Sequence, residues 1–435
     1  MKKRILSLLL ALVMVLSLAA CGAQNDSPQT SDTNKQDAET TADETHMDVE
    51  DSDFFGPIYD EWSEMTDEEL YELAKEEVKT NGPINVYATS SKMMKEEDLW
   101  LEKYPELSID IMDLDNDEVL EKCVQEANAQ NIQGDVLQVK DVNGDVFFNY
   151  YEEGFMSAFY PKDICAHIDD SLLRYGYPLY ASQSFWYYNT AAFPDGQPIT
   201  SWWQLVEKKE DGSQKYRLFT KEIGTETAYL SLFASFIVNA DQMEQAYKDL
   251  YGTDLEYTYD ASGFDFDVPE NNAGVEFMWR FSQLKLTFIS DGDELVLAVH
   301  NASDPADPAL ALASAGKIEN REESGYTVDW VKNLTPYTGL LNEENLYVVT
   351  GCKHPAGARL FIRFITGGAD GESGGLKPFT KQGNWTVRDD VEDKKNPATL
   401  EECGAVAPDL AAIHNVFMDA QDLWIYWLSI SPYTK

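Results

Sequence analysis

Between residues 66 and 139 the hydrophobic pattern switches repeatedly between helical and strand period, and this constrains the fold more than any other stretch. Thr66-Asp67-Glu68-Glu69 has the form of a capping box, and Leu70, Leu73, Ala74 and Val78 make a helical stripe that Asn81-Gly82-Pro83 stops. Ile84 to Ala88 has strand character. A helix through Leu99 and Trp100 ends at Pro105, and Leu107 to Met112 is a second strand. Asp117 to Gln130 reads as helix and Gly134 to Val139 as a third strand. Strands alternating with helices predict an α/β fold with a parallel sheet. Ligands of such sheets bind beyond the carboxyl ends of the strands, which makes Thr89, Ser90, Ser91 and Asp141 candidate binding residues. Hydroxyls and helix-start amides suit an anionic or polar group, although Thr-Ser-Ser before a helix also serves as a plain cap.

The run Phe185-Trp186-Tyr187-Tyr188 has strong strand propensity and aromatics on both faces. Such a strand is either buried in one core or carries the chain from one body to another. Tyr187, Tyr188 and Trp385 could stack on a flat or cationic solute, with core packing as the competing role. Thr225 and Glu226 precede an apolar helix, Ala228 to Val238, and join the candidates, although Thr225 could be only its cap.

The chain begins with Met1-Lys2-Lys3-Arg4, an apolar run from Ile5 to Leu18, and Leu18-Ala19-Ala20-Cys21. That run is short for a membrane span, which takes roughly 20 residues, and suits a signal peptide. From Asp26 to Glu64 there are thirteen acids against Lys35 alone, too polar a stretch to offset its ordering entropy. About 40 residues of such chain reach roughly 35 Å as a tether. The formal charge is −44, which excludes nucleic-acid binding by phosphate neutralisation. At 435 residues, 43% of them hydrophobic, the remainder can form two or three domains.

No other motif carries chemistry. Cys123, Cys165, Cys352 and Cys403 allow three disulfide pairings and their spacing selects none. The five histidines show no metal-ligand spacing. Asp113-x-Asp115-x-Asp117 and Asp141-x-Asn143-x-Asp145 lack the glycine a calcium loop needs and read as turn and cap residues. There is no phosphate loop and no His-Glu-x-x-His. No cofactor or metal is expected.

Ile84-Asn85-Val86-Tyr87-Ala88-Thr89-Ser90-Ser91, Glu102-Lys103-Tyr104-Pro105, Gly134-Asp135-Val136 and Trp186-Tyr187-Tyr188-Asn189-Thr190 together resemble the extracellular solute-binding proteins of ABC importers. Asn345 to Val349, then Lys353-His354-Pro355-Ala356 with Leu360-Phe361, and Gly383-Asn384-Trp385-Thr386-Val387 extend the likeness. The similar branch binds ferric iron, polyamines and thiamine. The N-terminus resembles a bacterial lipoprotein signal, which implies lipidation at Cys21 and anchoring to the outer face of the cytoplasmic membrane.

The resemblance implies a type II periplasmic-binding-protein fold of two lobes joined by crossing strands. The expected parts are a signal peptide (1–20), a tether (21–60) and a leading helix (61–82). Lobe 1 is expected over 83–186 and 300–348, and lobe 2 over 187–299 and 349–435. The aromatic strand would lead into lobe 2, Asp293 to Val299 would return as a strand, and Leu346 to Val349 would cross a third time. Asn301 and Asp304 follow that return, where polyamine binders place an acid. Iron binders carry adjacent tyrosines there, and this chain has His300-Asn301-Ala302 instead, which tilts the expectation to a cationic, polyamine- or thiamine-like solute. The implied function is a monomeric, lipid-anchored binding protein that does no chemistry and delivers its solute to ABC permease subunits. A surface carbohydrate hydrolase with a carboxylate pair, or a lipoprotein docking a sensor protein, are the rival classes.

Overall fold

The computed structural model describes residues 57–433 apart from Asp265 and Lys394. The expected signal peptide, Cys21 and nearly all of the tether lie outside the described residues. The first helix, Asp67–Asn81, begins at the capping box of Thr66 and Glu69, buries Leu70 and Ala74, and stops at Gly82 with φ of 91°. Strands β1 (Ile84–Ala88), β2 (Ile109–Asp113), β3 (Val136–Lys140), β4 (Met156–Ser157), β5 (Tyr177–Ser182) and the distant β12 (Asn342–Val349) form the first sheet. Its order is β2-β1-β3-β12-β4, with β5 also on β12. The first three strands are parallel as expected, and β12 is antiparallel to β3, so the sheet is mixed.

Strands β6 (Ser184–Asn189), β7 (Arg217–Thr220), β8 (Leu286–Phe288), β9 (Ala309–Ser314) and β10 (Val328–Trp330) form the second sheet, in the order β10-β6-β9-β7-β8. A short pair, β11 (Gly339–Leu340) and β13 (Ala405–Val406), lies apart from both. The chain passes from the first sheet to the second at Gln183, between β5 and β6. The aromatic strand therefore belongs wholly to the second lobe, and the boundary falls at Gln183 rather than 186. Trp186 packs with Trp202 and Phe281 in an aromatic core that also holds Phe233, Phe236, Phe277 and Trp424.

Three further expectations about chain path are corrected. Asp293 to Val299 is not a strand but part of the helix Gly292–His300, capped by the Asp291 carboxylate on the amides of Asp293 and Glu294. The strand there is β9, and with β10 it places 309–330 with the second sheet, whereas 342–348 lie in β12 of the first. The return to the first sheet comes after Trp330, through 331–341 into β12. The helix Pro355–Ile365 was expected in lobe 2, yet it packs on the first lobe's core with Trp100 and Ile84. Glu77 of the first helix accepts the amides of Ala356 and Gly357, capping that helix, and Arg363 forks onto Asp163 at 2.7 Å and reaches Asp67. The last helix, Leu410–Ser429, does return to the second lobe's core, and Trp385, Ala398 and Cys403 pack with Phe185 and Tyr187 of the second sheet.

Cys123, Cys165, Cys352 and Cys403 are all free thiols. Within the second lobe the helices Thr227–Val238 and Ala273–Ser282 cross at Gly274, where an added Cβ would stand 2.1 Å from the Phe236 carbonyl oxygen. Gly274→Ala therefore has to push two helices apart. Urea unfolding is expected to show a loss of about 1–3 kcal/mol, the usual cost of overpacking.

Candidate functional site

The carboxyl ends of β1 and β3, the amino end of β12 and the carboxyl end of β5 converge at one edge of the first sheet. Glu344 of β12 is the hub of that edge, its side chain 2% exposed. Its Oε1 meets Lys140 Nζ at 2.8 Å and accepts from the Tyr180 hydroxyl at 3.1 Å. Its Oε2 accepts from Gln138 Nε2 at 2.7 Å and Thr89 Oγ1 at 3.4 Å. The Glu344 carboxylate holds the Lys140 ammonium charged, raising its pKa.

Beside this cluster, Lys92 Nζ lies over the Tyr180 ring, 5.1 Å from its centroid. Burial lowers the Lys92 pKa to about 8, while the charge of Glu344 opposes that shift and those of Lys381 and Lys140 add to it. Tyr180 is pushed the other way, well above its ordinary value, by burial and by Glu344.

A cavity of about 470 Å³ opens from this edge toward the second lobe. Asp115, Asn116, Lys140, Asn143 and Asn342 line it from the first sheet's loops, and Thr225, Glu226, Thr227 and Ala228 from the second lobe. Glu226 is tied to Lys221 at 2.6 Å. A cavity of about 550 Å³ elsewhere is walled by residues 385–402 alone, a single loop folded on itself rather than a meeting of two sheets.

The structure sorts the sequence-predicted residues. Thr89, Thr225 and Glu226 come together around the Lys140 and Glu344 edge. Ser90 lies in the same loop, its Oγ accepting from the Lys92 amide at 3.4 Å, and Ser91 follows as an exposed neighbour. Asp141 is buried and inward: its oxygens accept from the Gly144 and Phe147 amides and the Tyr175 hydroxyl, so it staples the loop after β3. Asp115 caps the helix Asn116–Asn128 through a capping box with Glu118, which agrees with a cap rather than a calcium loop.

Five predicted residues lie away from the cavity. Tyr187 is fully buried and donates to the carbonyls of Ser314 and Ala315. Tyr188 packs edge-on to Phe193. Trp385 is 3% exposed, donates to the Ala398 carbonyl and packs with Phe185 and Trp330. These three are core. Asn301 and Asp304 precede β9, whereas Ser314 at its far end pairs with Ser184 beside the crossing, so both lie at the edge of the sheet remote from the cleft. Asp304 only turns its own loop, accepting from the Ala306 amide.

Glu344, Lys140, Gln138, Tyr180 and Lys92 went unrecognised in the sequence. The one available signal was Glu343-Glu344 in an otherwise strand-like run. Glu343 itself lies 4.0 Å from Arg174, and burial raises its pKa. The structure also brings His167 to 3.1 Å from Asp389 and 3.8 Å from Asp390, but Asp390 is committed to Arg388 at 2.7 Å.

Two lobes built on mixed sheets, joined by crossing segments with a cavity between their loops, define the type II periplasmic-binding-protein fold. No protein-family model and no curated protein matches the sequence. Among solved structures the chain is similar to iron-bound HitA from Pseudomonas aeruginosa, with a TM-score of 0.56 and 14% identity over 78% of this chain and 99% of that one. It is similar also to AfuA from Actinobacillus pleuropneumoniae with fructose-6-phosphate bound (0.52, 13%, 80% and 99%). The Atu4243 GABA receptor matches likewise (0.53, 11%, 80% and 98%). At these identities the likeness is one of fold. Among the described residues no helix is long and apolar enough to cross a membrane.

Proposed function

We propose that this chain captures a small solute between its two lobes and delivers it to the permease of an ABC importer, without altering it. The observation that carries the reading is the cavity of about 470 Å³ with walls from both lobes and, on one wall, Lys140 held in place by the Glu344 carboxylate. A wall held by its own hydrogen bonds is preorganised, so little ordering entropy is lost on binding. Closure of two lobes about crossing segments is a familiar hinge motion, and a solute shifts it only by binding the closed form better. That solved structures of this fold include an iron-bound protein, one with fructose-6-phosphate bound and a GABA receptor fits a scaffold whose cleft residues alone choose the solute.

Native mass spectrometry of the purified mature chain tests the reading. A single bound small molecule, recovered intact after denaturation, is expected. Turnover of a bound sugar would point to the hydrolase, and no small molecule together with a captured receptor to the docking lipoprotein.

Export and anchoring complete the proposal: Cys21 carries the lipid, and the acidic segment after it spaces the lobes from the membrane. Two acyl chains give stable attachment, each buried CH₂ contributing about 0.8 kcal/mol. Cys21→Ser is expected to release the protein from the membrane fraction into the medium, which fractionation and immunoblotting would read. Persistence of the variant in the membrane would remove the anchor from the account.

A further inference from the structure

Both oxygens of Glu344 are occupied, one by Lys140 and Tyr180 and the other by Gln138 and Thr89, so it has no remaining capacity for a second cation. On the facing lobe, Glu226 is occupied by Lys221. Lys92, on the loop that follows β1, makes no ion pair and no side-chain hydrogen bond; its Nζ has only the Tyr180 ring face. Lys381 and Lys140 act on it as like charges. A partly desolvated ammonium left unpaired is costly unless something completes it. In a chain of formal charge −44 this is a conspicuous place to leave one.

We propose that Lys92 is the anion-recognising side chain of the cleft, and that the solute carries an oxyanionic group, a carboxylate or a phosphate, which docks on its ammonium beside Tyr180. The inference rests on the solute-capture reading and specifies its substrate class. It departs from the cationic solute expected from sequence. Glu319, which follows β9, is the acid on the second lobe whose charge reaches Lys92, so an ion pair between the lobes is the competing use of this lysine.

The test is a binding screen by thermal shift and calorimetry on the mature chain, using probes that differ in the anionic group. Glucose is set against glucose 6-phosphate and pentane-1,5-diamine against 5-aminopentanoate, with inorganic phosphate and citrate alone. Probes with an oxyanion are expected to bind, and the two pairs separate phosphate from carboxylate. For the best probe, Lys92→Met is expected to weaken binding roughly ten- to a hundredfold, the loss of one contact to a charged group. Lys92→Arg should restore most of it, and Glu319→Gln should change it little. Binding confined to the diamine or to uncharged glucose would overturn the proposal while leaving solute capture intact, as would unchanged affinity in Lys92→Met. An equal loss in Lys92→Met and Glu319→Gln would assign the lysine to an ion pair between lobes. If no probe binds and native mass spectrometry finds no solute, solute capture itself fails and the proposal with it.

Discussion

Asp135→Ala is expected to lower the unfolding free energy by about 3–5 kcal/mol, the range for breaking a buried ion pair from one side. Asp135 Oδ2 accepts from the Asn85 amide at 2.8 Å and meets His354 Nδ1 at 2.8 Å. Its Oδ1 accepts from the amides of Lys353 and His354 at 3.1 and 3.0 Å. The second ring nitrogen of His354 faces the Gly82 carbonyl at 3.1 Å. One carboxylate thus joins β1, the start of β3 and the entry to the helix Pro355–Ile365, with both side chains at 0% exposure. Removing it strands several buried donors at once, each worth about 1–3 kcal/mol if nothing replaces the acceptor. Urea unfolding followed by tryptophan fluorescence reads the loss, and Asp135→Asn, which keeps one oxygen, should lose less. A change under about 1 kcal/mol in the alanine variant would show that the junction is held by packing instead.

Glu96→Gln should flatten the pH dependence of stability. Glu96 opens the helix Glu96–Lys103, is 0% exposed, and neither of its oxygens has a hydrogen-bond partner. Burial raises its carboxyl from 4.5 to about 9. The folded state therefore keeps a proton that the unfolded chain releases. Its contribution is fully present below about pH 4.5 and is lost as pH rises toward about 9, with a limiting slope of about 1.4 kcal/mol per pH unit. The glutamine variant does not titrate, so its stability should fall less between about pH 5 and 9 and should exceed wild type at the alkaline end. Parallel curves from urea unfolding across that range would mean the carboxyl is not driven neutral by its surroundings.

Structure is legible in the sequence where local physics decides it. The Thr66 capping box, the breaks at Gly82-Pro83 and the first three strands all depend on near neighbours. The motifs that carry the family likeness, Gly134-Asp135 and Lys353-His354, prove to be two halves of one buried junction. Structure is not legible where tertiary context overrides propensity. Asp293 to Val299 has strand-like composition, yet Asp291 caps it into a helix, and the acids after the cap were the overlooked signal. The real strand, Ala309–Ser314, alternates alanine with larger residues, and alanine conceals strand character. Aromatic Tyr187 and Trp385 were drawn into the core by the same bulk that suggested stacking. Glu344 and Gln138 meet across 206 positions, and Thr89 and Glu344 across 255, so no spacing rule could have joined them.

The central claim, that solute is held between the lobes, is tested most directly by filling the cavity. Thr225 is exposed and lines it from the second lobe, so Thr225→Trp should occupy space without disturbing either core. Equilibrium binding of the solute that co-purifies with the wild type is the measurement, with urea unfolding to confirm that the variant is folded. The account predicts one equivalent bound to the wild type and binding reduced at least about tenfold, roughly 1.4 kcal/mol, in Thr225→Trp. Equal affinity in the two proteins would place the solute elsewhere and contradict it.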